Sequence, residues 1–268
     1  MKAGISGSSR EELAAVTARG RRLVTVDDVA NELSLERAVA AKKLARWAEQ
    51  GWLRRVRRGL YIPVPIDVEH PELWSEDALV LADAVWSPCY FTGWTAANRW
   101  GLTEQIFRTI VVKTTGRVRA TSQELLDQDY LVGHVPKSAM AWGMRSAWQQ
   151  ERRIRFADEA RTIVDVLHEP RIGGGIRHVA EMLETYLFDS DWRQIVEYGD
   201  LLGTSTVFKR LGYLSETLQL GDQELLAECE QRLSSGVSLL DPGVPHTGPR
   251  VGRWGLRANV RVEESDGS

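Results

Sequence analysis

The sequence predicts an α+β fold: a small helix-and-hairpin N-terminal domain, then a larger mixed α/β domain that is helix-rich toward its end. Three observations predict it. Short helical periods and a Gly-centred β-ribbon fill the first 66 residues. An isolated β-branched run, FRTIVVKTT, lies near the middle, at Phe107 to Thr115. Beyond Asp158 apolar residues recur almost continuously at helical spacing.

The first helix is expected over about Arg10 to Arg19, capped by Ser8 or Ser9, with Leu13, Ala14 and Val16 as its apolar positions. Thr25 opens a second helix, and Asp28 three residues on gives a capping-box spacing. Val26, Val29, Ala30 and Leu33 form its apolar face. Ser34 is expected to break this helix and to cap the next, Leu35 to Gln50, which Gly51 terminates. In that third helix Ala40, Leu44, Trp47 and Ala48 make one stripe, and Arg37, Lys42, Lys43 and Arg46 lie off it. Two helices joined by a tight turn, the second longer and basic, make a helix-turn-helix.

Residues Trp52 to Val56 and Leu60 to Pro63 flank Arg57-Arg58-Gly59 and read as a hairpin, with Pro63 ending the pairing. A ribbon with arginines at its tip, directly after a basic helix, is a wing. Residues 1–66 carry 13 Lys+Arg against 7 Asp+Glu, a net of +6, whereas the remainder nets −9. A basic head on an acidic body is suited to a polyanion. The expected partner is double-stranded DNA. Arg37, Lys42 and Lys43 are the candidates for base contact in the major groove, and Arg46, Arg54, Arg55, Arg57 and Arg58 for phosphate contact.

In the body, a helix from about Leu73 to Trp86 is expected to connect the two parts, within 67–87. Tyr130 to Val135 and Arg153 to Phe156 are further strand candidates. Helices are expected at Asp158–His168, Ile176–Phe188, Asp191–Leu201, Thr204–Leu218 and Gln223–Ser234, and residues 265–268 are expected to be disordered. The domains are therefore placed at 1–66 and 67–268.

No catalytic, metal or cofactor site is expected. Gly173-Gly174-Gly175 precedes a helix but lacks a preceding strand and a following Gly-Lys-Ser/Thr, so a hinge is preferred to a phosphate cradle. His168 and His178 have no zinc spacing and are assigned surface or capping roles. Arg161 and Asp165, four apart, are expected to pair within a helix. Glu184, Asp189 and Asp191 have the chemistry for a hard cation but sit at a helix end and loop, where acids are common. Trp94, Trp100, Trp142 and Trp148 are assigned to the core. Cys89 and Cys229 match no metal or redox spacing and fit a reducing cytoplasm. No run is long and apolar enough to span a membrane, and Met1 to Arg10 is polar, unlike a secretory signal.

Several strings spread along the chain resemble the AbiEi family of antitoxins from type IV toxin–antitoxin and abortive-infection systems. They are RRGLYIP (Arg57 to Pro63), AANRWGLTEQ (Ala96 to Gln105), TIVVKTT (Thr109 to Thr115), ARTIVDVLHEP (Ala160 to Pro170) with GGGI (Gly173 to Ile176), KRLGYLSE (Lys209 to Glu216), LLDPG (Leu239 to Gly243) and RWGLRANV (Arg253 to Val260). Trp100 departs from the small polar or His residue expected before Gly-Leu-Thr. The resemblance implies an autorepressor that binds operator DNA, with inverted repeats as the expected arrangement. It also implies a C-terminal domain that antagonises a nucleotidyltransferase-like toxin. On the same resemblance Arg117 and Arg119, after the strand ending at Thr115, are candidates for a second DNA contact. A stand-alone regulator whose body senses a small molecule is the alternative.

Overall fold

The computed structural model describes residues 7–18, 22–65, 68, 70, 74–150 and 152–262. The chain divides into two units. The first comprises residues 1–87 with 124–129, and the second residues 88–123 with 130–268. The expected fold class, a helix-turn-helix head and a larger mixed α/β body, is what is observed.

In the first unit, helix α1 (Gly7–Thr17) is followed by strand β1 (Val24–Thr25), helix α2 (Val26–Glu32) and helix α3 (Arg37–Glu49). The expected end of α1 at Arg19 lies outside the described residues. Its start is three residues earlier than expected, so Ser8 and Ser9 lie within the first turn; the Ser9 hydroxyl instead accepts the Trp47 indole N–H at 2.9 Å. Thr25 and Asp28 form the expected box: the Thr25 hydroxyl accepts the Asp28 N–H at 3.1 Å, and the Asp28 carboxylate accepts the Thr25 N–H at 2.8 Å.

Ser34 does not cap α3. It has φ +51° and follows Leu33, the C-cap of α2, while the Leu35 N–H returns to the Ala30 carbonyl at 2.9 Å. That is a left-handed C-terminal cap, so the serine closes α2 and Glu36 begins α3. Gly51 ends α3 as expected, with φ +79° and a Trp52 N–H bond to the Trp47 carbonyl at 2.9 Å.

Strands β2 (Leu53–Arg57) and β3 (Leu60–Pro63) form the hairpin, turning through Gly59 at φ +77°. The small β1 adds to the other side of β3, giving the antiparallel order β1-β3-β2. Val16, Val24, Val29, Ala40, Leu44, Trp47, Leu53 and Tyr61 form one core under the helices and this sheet. Helix α4 (Ala78–Trp86) starts later than Leu73, itself outside the described residues, because Asp77 accepts the N–H groups of Leu79 and Val80 and fixes the N-terminus there.

A mixed sheet belongs to the second unit apart from residues 124–129, the end of one strand and the start of the next, which fall in the first. Its strands are β4 (Cys89–Phe91), β5 (Ile110–Thr114), β6 (Ser122–Leu125), β7 (Gln128–His134), β8 (Met144–Gln149) and β9 (Arg152–Ala157), in the order β6-β7-β5-β4-β9-β8. Several elements go beyond the sequence expectation, among them β4, which is three residues long, β6 (SQEL) and β8 (MRSAWQ), which have no β-branched residue, and α5 (Gly93–Arg99), which spans two turns. Helices α6 (Glu159–His168), α7 (Ile176–Asp189), α8 (Arg193–Leu202) and α9 (Ser205–Thr217) agree with expectation, and α10 (Gln223–Gln231) stops short of Ser234. Strands β10 (Ser238–Leu239), β11 (Arg250–Val251) and β12 (Leu256–Arg257) make a small closing sheet. The expected disorder at 265–268 lies outside the described residues.

Helix α6 is buried along its whole length from Ala160 to Leu167. Its last carbonyls are satisfied by Arg210 from α9, which donates to Leu167 at 2.6 Å and His168 at 2.8 Å, and to Leu239 at 2.9 Å. A guanidinium at a helix C-terminus supplies both the missing donors and a favourable charge.

Candidate nucleic-acid interface

The face that α3 presents to solvent follows from its buried one. Ala40, Leu44 and Trp47 point inward. At about 100° per residue, Lys42 falls roughly opposite the centre of that stripe, and Arg46 lies within about 60° of the same direction. Both are exposed. Ala38 and Ala45 lie beside them, also exposed, and allow close approach of the helix backbone.

Arg37 and Lys43 are placed differently. Lys43 lies more than about 100° from the outward direction. Its ammonium is bonded to Glu12 of α1 at 2.5 Å and sits 5.6 Å from the Trp47 ring centroid, with a quarter of the side chain exposed. Arg37 is well exposed but paired with Asp27 of α2. Arg54 is not at the tip either. Only 18% of its side chain is exposed, and it bonds the Trp74 carbonyl and, at 3.2 Å, Asp127.

Beyond the core, the hairpin holds Arg55, Arg57 and Arg58 in exposed positions. Register shifts between Arg55, opposite Tyr61, and Arg57, opposite Leu60, so Val56 is the extra residue of a bulge. A bulge twists and re-aims the strand locally, here at the arginine-bearing tip. Among the described residues Lys42, Arg46, Arg55, Arg57 and Arg58 have no ion-pair partner, whereas Arg37, Lys43 and Arg54 do. Val39, absent from the sequence-based set, is 44% exposed on the same helix. Its signal in the sequence is a β-branched residue off the Ala40–Leu44–Trp47 stripe.

In the second unit, Arg117 and Arg119 are exposed in the segment between β5 and β6. The other groups weighed for chemistry are engaged within the fold. Gly174 and Gly175, at φ +86° and +94°, lead into α7, whose Ile176 N–H is taken by Asp241 at 2.8 Å. A carboxylate of the chain itself occupies the place where a phosphate cradle would be. His178 is not on the surface: it is 6% exposed and held by the Gly173 carbonyl and the Thr103 hydroxyl, both at 2.7 Å. His168 is exposed at the end of α6.

Arg161 and Asp165 pair as expected, Nε to Oδ1 at 2.8 Å, but in the interior. Asp191 accepts the Arg193 N–H at 2.9 Å and pairs with its guanidinium, a local capping role. Among the described residues no three His, Cys, Asp or Glu side chains are grouped as a metal site. Trp94 is buried, and Trp100 and Trp142 are half-buried. Trp148, expected in the core, is 64% exposed, because β8 is the sheet's edge strand and its alternation turns Trp148 outward opposite Arg153.

Among the described residues no helix is long and apolar enough to cross a membrane. No curated protein matches the chain. In fold it is similar to the RV2827C protein from Mycobacterium tuberculosis, seen in a crystal structure, with a TM-score of 0.58 and 15% identity over 94% of this chain and 92% of that one. Residues 11–64 match the AbiEi_4 family model, described as transcriptional regulator, AbiEi antitoxin. That match spans α1 through the wing, and the N-terminal region is accordingly an AbiEi antitoxin transcriptional regulator domain.

Proposed function

We propose that this protein is an autorepressor and antitoxin of a type IV system: it binds operator DNA through α3 and the wing, and its C-terminal domain antagonises a nucleotidyltransferase-like toxin. The observation that carries the DNA-binding part is the set of exposed cations with no ion-pair partner among the described residues, Lys42 and Arg46 on α3 and Arg55, Arg57 and Arg58 on the hairpin, within a regulator domain. Lys42 is assigned to base edges, and Arg46 and the hairpin arginines to phosphates that set register. Arg117 and Arg119 remain proposed for a second contact on the duplex. The working compartment is the cytoplasm.

The test is binding of the full chain to the duplex upstream of its own gene, read by footprinting. Protection of paired half-sites, lost when residues 1–66 are deleted, supports the proposal; no protection above that of unrelated DNA defeats it. The antitoxin part is tested by co-expression with the nucleotidyltransferase-like product of an adjoining gene. Relief of growth arrest is expected, and persistent arrest overturns that part alone.

One observation favours a second reading, a regulator whose body senses a small molecule. The second unit has a cavity of about 380 Å³ lined by Tyr90, Lys113, His134, Trp142, Arg161 and Asp165, among others. Absence of any adjoining toxin gene, together with operator release by a metabolite, would decide for it.

A further inference from the structure

We propose that Val39 reads the 5-methyl group of a thymine in the operator, making a T·A pair part of the recognised sequence; this rests on the reading of α3 as the groove-binding helix. Val39 is the third residue of α3, and the N-terminal residues of a recognition helix are those that reach base edges. It lies three residues before Lys42 and seven before Arg46, so the three share one patch of the helix surface.

Neither packing nor helix formation explains a valine there. Val39 is 44% exposed, and the core contacts of α3 come from Ala40, Leu44 and Trp47. A β-branched residue is a poorer helix former than the alanines around it. What valine supplies is a rigid apolar probe. In a helix its χ1 is almost confined to one rotamer, so presenting two methyl groups costs little entropy.

The major groove displays one apolar substituent on its unmodified bases, the thymine methyl. The charge that would otherwise crowd this patch is drawn away: Lys43, four residues after Val39 and so beside it on the helix surface, is held by Glu12. Ala38 and Ala45 add no bulk between the helix and the bases. An apolar tip beside Lys42 thus fits a base pair presenting a methyl next to hydrogen-bond acceptors.

The test uses sites selected by the full chain from a random duplex library, then resynthesised with deoxyuridine replacing each thymine in turn. This removes the methyl and preserves the hydrogen-bonding pattern. Wild-type protein is expected to lose about fourfold in affinity at one thymine per half-site, the value of one methyl group withdrawn from water. Val39→Ala is expected to bind the thymine and uracil versions of that site equally, with the salt dependence of binding unchanged. Equal wild-type affinity for every uracil version overturns the inference, as does a Val39→Ala protein that keeps the methyl preference. Failure of wild-type protein to enrich any sequence defeats the groove-binding reading itself, a distinguishable result.

Discussion

Glu12 of α1 holds the ammonium of Lys43 at 2.5 Å, whereas Lys42, its neighbour in sequence, has no such partner among the described residues. Adjacent helical residues diverge by about 100°, so one lysine of the pair helps tie α1 to α3 and the other faces solvent. Lys42→Ala is expected to cost about 1–3 kcal/mol of specific binding and to relax the preference at one base pair. Lys43→Ala is expected to leave the sequence preference unchanged. Quantitative footprinting on single-base operator variants separates them, and equal loss of preference in both would refute the assignment.

The hairpin arginines act by charge. Replacing Arg57 and Arg58 by alanine should weaken binding to specific and unrelated duplexes alike. Each phosphate contact removed lowers the magnitude of the slope of log affinity against log salt by about 0.9, so the double variant should be shallower by about 2. Titrations between low and physiological salt measure this. A parallel line, merely displaced, would mean that these arginines do not meet phosphates.

The head was legible because its signals are local. Thr25 and Asp28, Gly51, and the Gly59 turn each act within a few residues, and all are found as expected. Ser34 misled because serine serves either end of a helix junction; at φ +51° it closes α2 and lets the Leu35 N–H return to the Ala30 carbonyl. The assignment of Lys43 and Arg54 needed their partners Glu12, 31 residues away, and Asp127, 73 residues away, which no short window contains. In the second unit, β8 is stabilised by pairing with β9 rather than by its own composition, so periodicity did not disclose it. Arg161 and Asp165 look like surface residues in sequence and are buried as a hydrogen-bonded pair, and Arg210 is buried because its guanidinium takes the last carbonyls of α6.

Gly212 in α9 lies under Trp254. A β-carbon there would overlap the six-membered ring, which is fully buried and tethered through its indole N–H to Glu216. Alanine normally gains about 1 kcal/mol over glycine in a helix. Overpacking costs typically about 1–3 kcal/mol, and here the ring has little room to yield. Gly212→Ala should therefore destabilise, read as a lower urea midpoint; a raised midpoint would show that the ring shifts freely.

Both cysteines are buried, Cys89 at 1% exposure and Cys229 at 0%. Burial pushes the Cys229 thiol up to about 12, so it stays protonated at neutral pH. The thiolate is the reactive form. Native protein at pH 8 should show negligible reaction with a disulfide reagent, and two equivalents should appear on addition of denaturant. Rapid labelling of folded protein would contradict this packing.

Arg161 and Asp165 set a harder test, because a buried ion pair contributes little net stability yet costs much when halved. Arg161 donates through Nε to Asp165 at 2.8 Å and through a terminal nitrogen to the Tyr90 hydroxyl at 2.8 Å, with its guanidinium 3.3 Å from the Trp142 ring centroid. Asp165 also accepts from Thr92 at 2.8 Å. Asp165→Leu strands a guanidinium in the interior and should cost about 3–5 kcal/mol, with Arg161→Met comparable for the stranded carboxylate. The double variant Arg161→Met with Asp165→Leu removes both charges and leaves the Tyr90 and Thr92 hydroxyls and the Ala139 carbonyl short of a partner. It should be more stable than either single variant, although it carries one more substitution. Urea unfolding of the four proteins at pH 7 gives the coupling. Strictly additive losses would mean that the charges do not depend on one another, and that Tyr90, Thr92 and Trp142 hold the centre of the unit without them.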